Sequence, residues 1–503
     1  MERVPSSSTT TGRFGRMFRH LPVFEHSQAS LEDLATRMVQ LQEEDKPLGV
    51  PDEDENPTIP AGYTYLGQFI DHDITFDPNS SLQKQNDPDA LENFRTPRFD
   101  LDSVYGRGPS DQPYLYNHSV APIPHPDDPT INLAGTQFLL GNLVDPPGTP
   151  FAGPDLPRNK PQNDPTARAL TGDPRNDENL IVSQLHLTML KFHNLVVEHV
   201  ATTTSLRDDN LFKEAQRQVR WHYQWVVIND FLKRIAGADV VADILQPAEF
   251  QAGGSPQSIV RPKLLFYHWK HRPFIPVEFA VAAYRFGHSM VRPSYFFNDF
   301  VRSQTEPNRT PIFSLDTNPL ANLNGFRPLP GKWGFQWKYF FETSAEANLP
   351  QPSYRIDSEL VFPLGSLPPA IAANPSSLAL RNLLRGLRMG LPSGQSVALA
   401  MGITPLTDEE LEITEEAGLQ PATVTDLEGH APLWYYILKE AEVVNEGTHL
   451  GPVGGRIVAE VFIGLLAGDP CSYLSVQPTW TPELPPGGTA FSAVDLIKFA
   501  TGE

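Results

Sequence analysis

Fifty of the 503 residues are proline, about twice the usual share of roughly 5%, and no other feature restricts the fold as much. Proline has no amide hydrogen to donate and its ring clashes with the preceding turn, so it interrupts helices and central strands alike. A chain this rich in it must carry long, stiff connections between packed elements. The longest such tract runs from about Asp111 to Pro174 and is rich in Pro, Asn, Asp and Gly. A loop of that length inside a compact domain is functional or wraps a surface.

Between these connections the apolar residues recur at helical spacing, which rules out general disorder. The pattern predicts helices over Asn176–Thr202, Asn210–Ala236 with Gly237 as its C-cap, Pro276–Met290, Ser376–Met389, Trp434–Asn445 and Gly454–Ala467. A shorter helical pattern lies around Leu31–Leu41, followed by the acidic run Asp52-Glu-Asp-Glu. Strand alternation is scarce and there is no internal repeat. With 40% apolar residues, the expectation is a mainly α protein with one large helical domain.

The net charge of −21 argues against nucleic acid or an anionic membrane as a partner, since both require clustered Lys and Arg. The single cysteine, Cys471, excludes an intramolecular disulfide framework and any multi-cysteine metal site. No stretch reaches 18 uninterrupted apolar residues, so no membrane span is expected. Met1–His26 lacks an apolar h-region, so the expected location is cytoplasmic, or outside the cell by a non-standard route.

Five segments carry candidate chemistry. In Tyr65-Leu-Gly-Gln-Phe-Ile-Asp-His-Asp73, a helix would place Gln68, Asp71 and His72 on one face and turn Asp73 roughly 100° away. The plain alternative is a surface Asp-His-Asp. In Thr96-Pro-Arg-Phe-Asp-Leu-Asp102, an extended chain would point Thr96, Arg98, Asp100 and Asp102 to one side. Oxygens from Thr and two Asp suit a hard cation such as calcium, and an acidic loop is the alternative. Gly172-Asp-Pro-Arg-Asn-Asp-Glu178 reads as the start of the long helix, with Arg175 and Glu178, at i and i+3, as a surface ion pair. Tyr284-Arg-Phe-Gly-His288 sets Arg285 one turn before His288, compatible with an axial haem ligand and a propionate clamp, or with a satisfied core histidine. Arg381-Asn-Leu-Leu-Arg385 places Asn382 and Arg385 at i, i+3, or is plain solvent-facing charge. His268-Trp-Lys-His271 and Gly451-Pro-Val-Gly-Gly455 are read as structural, the first lacking a carboxylate and the second lacking a P-loop Lys.

In this order the five segments resemble the animal-type haem peroxidases of the peroxidase–cyclooxygenase superfamily, over about Asn56–Leu474. The resemblance implies an N-terminal arm (1–55), a haem peroxidase catalytic domain (56–474) and a C-terminal extension packed on it (475–503). It also implies a compact bacterial member with long Pro-rich loops around a buried haem. By position, His72 is similar to the distal histidine, Gln68 to its neighbour, and Arg175 to the distal arginine. His288 would bind the haem iron and pair with Asn382, while Arg285 and Arg385 would hold propionates. Asp71 and Glu178 match the carboxylates that become ester-linked to haem. Asp73, Thr96, Arg98 by its carbonyl, Asp100 and Asp102 match the family's calcium site.

Asn179 stands where a methionine forms a third haem link in some relatives, so no sulfonium bond is expected. The radical tyrosine of the fatty-acid dioxygenases would fall at Arg285, with Tyr284 one step away. The resemblance therefore implies haem b, calcium, hydrogen peroxide as substrate, and small organic donors, halides or thiocyanate as reductants. A fatty-acid dioxygenase or peroxygenase, and an inactive calcium-stabilised binding protein, are the alternatives.

Overall fold

The computed structural model describes residues 12–40 and 52–503, apart from 120, 144, 146–150, 152, 162–163, 253–254, 305–308, 347–348 and 373. Side chains of 247–260 are likewise outside the description. Helices dominate, as the periodicity predicts, and the strands form only small two- and three-stranded sheets.

The central element is the helix Leu180–Thr203, buried on almost every face over its first three turns. Its first part, Leu180–Leu190, has no Asp, Glu, Lys or Arg and sits inside the protein, while Lys191, Asn194, Glu198 and Thr202 form a partly exposed polar stripe on the later turns. It is also the one helix among the described residues long and apolar enough to cross a membrane, and 83% of that window is buried within the protein. Against it pack the helices Gly62–Ile74, Asp208–Val226 and Ala493–Thr501. A second group, Leu433–Asn445 and Pro452–Gly468, packs on the segment Glu278–His288.

The Pro-rich tract wraps the central helix. Phe138 N–H donates to Asn194 Oδ1 at 2.7 Å, and Gln137 Nε2 donates to Glu198 Oε1 at 3.0 Å. Buried Arg158 anchors its far end between Asp155 (2.7 Å) and Asp177 (2.9 Å). Residues Gly12–Gly15 pair antiparallel with Glu92–Asn93 and parallel with Ile275–Pro276. Phe14, Phe18, Leu31 and Leu34 enter the main core.

Four local expectations change. The long helix begins at Leu180, capped by the Asn179 side chain accepting from Val182 N–H (2.9 Å). Arg175 therefore lies before it, on the 3₁₀ turn Pro174–Asp177. The segment predicted as a helix over Pro276–Met290 is a π-helical turn, Glu278–Ala282, followed by a 3₁₀ turn, Ala283–His288. Thr96–Asp102 is not extended: Leu101 adopts a left-handed conformation (φ 57°) and Asp102 opens a short helix to Tyr105. The N-terminal helix spans Gln28–Arg37, and Leu41 lies outside the described residues. The pattern over Asn210–Ala236 holds as Asp208–Val226 and Leu232–Ala236 joined by a π-helical turn, with Gly237 (φ 89°) ending it. Short helices such as Ala238–Ile244 and Gly394–Ala400, and the hairpin Leu245–Ala252 with Ser255–Pro262, carry too little periodicity to be read from sequence.

Candidate active site

The helix Gly62–Ile74 starts where the chain turns in tightly against Phe340 and Phe341. A Cβ on Gly62 would collide with both, and Gly62 N–H donates to Phe340 O at 2.9 Å. The helix is then held along its length by Tyr63 Oη–H donating to Asp230 (2.8 Å) and by packing of Phe69 and Ile70. This places Gln68, Asp71 and His72 on one cavity of about 380 Å³. Arg175, Glu178 and Asn179 line the same cavity, as do Tyr284, Arg285, His288 and Arg381. Asp73 points elsewhere, into the Asp100–Asp102 loop.

His72 is buried, and burial together with the Arg175 charge lowers its pKa to about 4. Its Nδ1 lies 2.8 Å from Asn176 Oδ1, and its Nε2 lies 3.8 Å from Glu178 Oε1. Gln68 Nε2 donates to Glu178 Oε1, and Asn179 Nδ2 donates to Gln68 Oε1 at 3.1 Å. Burial raises the Glu178 pKa to about 7, partly relieved by Arg175. Asp71 accepts from Thr75 Oγ1–H at 2.8 Å.

Arg175 is not in a surface pair with Glu178. Its Nε and Nη2 bind Asp173 (3.1 and 2.8 Å), and Nη2 also reaches Thr75 O (2.5 Å) and His72 O (3.2 Å). None of these bonds engages Nη1. The guanidinium sits 4.6 Å from the Phe76 ring centroid. Asp173 is buried, and against that penalty Arg175 and Arg95 hold its carboxyl well below the usual range.

Across the cavity, the 3₁₀ turn eclipses residues three apart, so Arg285 and His288 share a face. Tyr284 Oη–H donates to Gly67 O at 3.2 Å, tying this turn to the Gly62–Ile74 helix. Burial and the Arg285 charge lower the His288 pKa to about 3, leaving a neutral ring. His288 Nδ1 does pair with Asn382, at 2.7 Å. Asn382 Nδ2 faces His288 while its Oδ1 accepts from Arg285 Nη1 at 3.3 Å.

Arg385 is not among the cavity-lining residues. It donates to Asp77 (3.1 Å) and Ser80, and Arg381, one turn earlier, lines the cavity instead. Arg285 is half-buried at the cavity wall; burial and the nearby Arg385 lower its pKa to about 10. Its hydrogen bonds go to Ala280 O (3.1 Å) and Asn382, with no carboxylate at ion-pair distance among the described residues. A cation in that state calls for an anion.

The acidic cluster is compact: Asp73, Asp100 and Asp102 each offer a carboxylate oxygen within 4.8 Å of the others. Asp73 is fully buried and accepts from Leu101 N–H (3.1 Å) and Ser103 Oγ–H (3.3 Å). Asp102 Oδ1 is buried and accepts no hydrogen bond. Burial and mutual repulsion raise Asp73 well above the carboxylate range and Asp102 to about 7. Three such oxygens, one of them without a hydrogen bond, fit a hard cation. Thr96 Oγ1–H donates to Asp100 at 2.9 Å and Arg98 Nε lies 3.9 Å from Asp469. Arg95 links the cluster to the cavity, lying 3.5 Å from Asp102 and 2.5 Å from Asp173.

Asn176 and His186 are the residues the sequence reading misses. Asn176 sits inside the Arg175–Glu178 segment, so its position next to Arg175 was a usable signal, whereas His186 carried none. His268 Nε2–H donates to Leu265 O (3.0 Å). Within Gly451–Gly455, the Val453 and Gly454 amides donate to Glu440 at 2.9 and 3.1 Å and the Gly455 amide donates to Gly451 O at 2.8 Å.

Residues 93–328 match the family model for animal haem peroxidase. Among curated proteins, the chain is 24% identical over 322 residues to peroxidasin homolog pxn-2 of Caenorhabditis elegans, covering 63% of this chain and 22% of that protein. It is 27% identical over 210 residues to thyroid peroxidase of Sus scrofa, covering 41% and 20%. The chain thus spans about a fifth of the length of these relatives. Its fold is similar to that of peroxidase A from Dictyostelium discoideum, with TM-score 0.59, 16% identity, and coverage of 94% of this chain and 90% of that one. It is also similar to a fatty acid alpha-dioxygenase of Arabidopsis thaliana, with TM-score 0.56, 14% identity, and coverage of 96% and 77%. Residues 93–328 are thus similar in sequence to the animal haem peroxidase family, and the fold is that of the peroxidase and alpha-dioxygenase structures it resembles.

Proposed function

We propose that this protein is a haem-dependent peroxidase that reduces hydrogen peroxide and oxidises small organic donors, halides or thiocyanate. The observation that carries the reading is the convergence on one cavity of His72, Arg175, His288 and an Arg285 with no carboxylate at ion-pair distance among the described residues. The residues fit haem b: the Nε2 of His288 would bind the iron once its ring proton moves to Nδ1 and the Asn382 carboxamide turns its oxygen there, and Arg285 and Arg381, with Arg385 behind them, supply positive charge for two propionates. Asp71 and Glu178 line the cavity, accepting from Thr75 and Gln68 respectively, and are the candidates for ester links. Haem, when bound, supplies the redox iron that accepts the peroxide oxygen.

His72 is held neutral by burial, so its imidazole is ready to take the proton of the near peroxide oxygen and return it to the far one. Gln68 and Glu178 form a hydrogen-bonded pair beside it that orients small polar molecules. Arg175 is pinned by Asp173, Thr75 and His72 backbone oxygen, which leaves Nη1 to stabilise negative charge leaving with the far oxygen. The Asp73, Asp100 and Asp102 cluster, with Thr96 and the Arg98 carbonyl as further oxygen donors, is the candidate calcium site, and it fixes the end of the helix that carries His72. Stopped-flow reaction of the haem-loaded protein with peroxide tests the reading: His72→Ala should slow the first step by at least a hundredfold with haem still bound. Unchanged kinetics would refute the role. Acid–acetone extraction tests the ester links, since attached haem stays with the protein.

A second reading, a fatty-acid dioxygenase, is favoured by Tyr284 lining the cavity. Its hydroxyl is committed to Gly67 O, and Arg285 holds the position one turn before His288. Oxygen uptake with linoleate and no peroxide would support this reading over the first.

A further inference from the structure

His72, Asn176 and His186 form a buried chain across three elements. They come from the helix Gly62–Ile74, the turn Pro174–Asp177 and the helix Leu180–Thr203, and they are 4%, 0% and 1% exposed. Asn176 Oδ1 lies 2.8 Å from His72 Nδ1, and Asn176 Nδ2 lies 2.9 Å from His186 Nδ1. A carboxamide has two unlike ends, an oxygen that only accepts and an NH₂ that only donates. Burial disfavours the charged form of both rings, so each imidazole carries one proton. His72 must then hold its proton on Nδ1, and His186 must hold its proton on Nε2.

We infer that Asn176 is a positioning residue for His72, forcing the two imidazoles into opposite tautomers and keeping the His72 Nε2 lone pair on the cavity side. The inference rests on the proton-accepting role given to His72 above. The chain has a specific opponent. Glu178 Oε1 lies 3.8 Å from His72 Nε2, on the cavity side, and a carboxylate there favours a proton on Nε2. That tautomer would turn His72 into a donor unable to take a proton from anything in the cavity. Asn176 Oδ1 opposes it from the other end of the ring. On its far side the Asn176 NH₂ has His186 Nδ1 as its partner, in a ring held edge-on against Phe69 at 6.2 Å.

The test is ¹⁵N-histidine NMR on the full-length chain, both cofactor-free and loaded with diamagnetic zinc protoporphyrin, with His72 assigned by comparison with His72→Gln. The expected result is a protonated Nδ1 and a bare Nε2 on His72. Asn176→Leu should move His72 toward the Nε2–H tautomer and slow the reaction of the haem-loaded protein with peroxide by about tenfold or more. Asn176→Asp, which keeps an acceptor facing His72, should retain the Nδ1–H tautomer. A wild-type His72 protonated on Nε2, or an Asn176→Leu protein with unchanged tautomer and unchanged rate, overturns the inference. If Asn176→Leu does not fold, the wild-type tautomer alone decides. A correct tautomer in a protein inert to peroxide would sink the peroxidase reading and leave this inference standing.

Discussion

His193 should make the protein acid-labile in a way that a single substitution removes. It is fully buried. Its Nε2 lies 2.9 Å from the Thr136 carbonyl oxygen, which can only accept, so the ring proton sits there. Nδ1 therefore accepts from the Tyr105 hydroxyl, also at 2.9 Å. The neutral ring is satisfied at both ends, whereas a second proton on Nδ1 would face a hydroxyl already turned toward it, within a cage of Phe138 and Phe212. Burial accordingly lowers the pKa from 6.5 to about 4.

Because the folded value lies below the unfolded one, the unfolded chain binds the extra proton more readily. The stabilisation is fully present above pH 6.5 and is lost as pH falls from 6.5 toward 4. The complete loss is about 3 kcal/mol, of which about 2 kcal/mol has gone by pH 5. Urea unfolding of wild type and His193→Gln at pH 7 and pH 5 isolates this group from the other buried histidines. Glutamine can still donate to Thr136 O but does not titrate. The stability difference between the two pH values should shrink by about 2 kcal/mol in the variant, whatever its absolute stability. An equal difference in both proteins would refute the reasoning. Tyr105 ends the helix that begins at Asp102, so the same acid step should loosen the acidic cluster.

Three further outcomes follow from the site. Arg285→Leu should weaken haem binding by about tenfold or more, as loss of a charge-assisted bond from a half-buried arginine requires; haem titration measures it, and unchanged affinity would count against the propionate role. Adding calcium to chelator-treated protein should raise the melting temperature, by the equivalent of about 2.7 kcal/mol at a hundredfold excess over Kd. That gain should diminish below pH 7, where Asp102 takes up a proton instead, and a calcium-independent melt would contradict it. Gly325→Ala should cost about 1–3 kcal/mol, since its Cβ would collide with the Asp177 and Glu178 backbone. The same substitution should alter peroxide kinetics by shifting Glu178, and paired thermal melts and stopped-flow traces would show both effects or neither.

Much of the site was legible because it lies within single short segments. The 100° step between neighbouring helical residues already separates His72 from Asp73, and the structure sends one to the cavity and the other to Asp100 and Asp102. The pairing of His288 with Asn382 is also present. Where the reading fails, the deciding contacts come from far along the chain. Arg385 and Arg381 are equivalent on a helical wheel of basic residues, and only Asp77 and Ser80, some 300 positions away, draw Arg385 off the cavity.

Apolar periodicity and capping residues are local, so the sequence alone determined that the chain is helical and which side chains share a face. Helical twist is softer: packing of Phe279 and Tyr284 against Phe462 accompanies the change of Glu278–His288 into π and 3₁₀ turns, at energies too small to show in residue pattern. Only the tertiary structure decided the polarity of the hydrogen bonds at Asn176 and Asn382. A carboxamide reads the same in sequence whichever end faces a histidine, and at Asn382 its orientation is set by Arg285 on the other side, which can only donate.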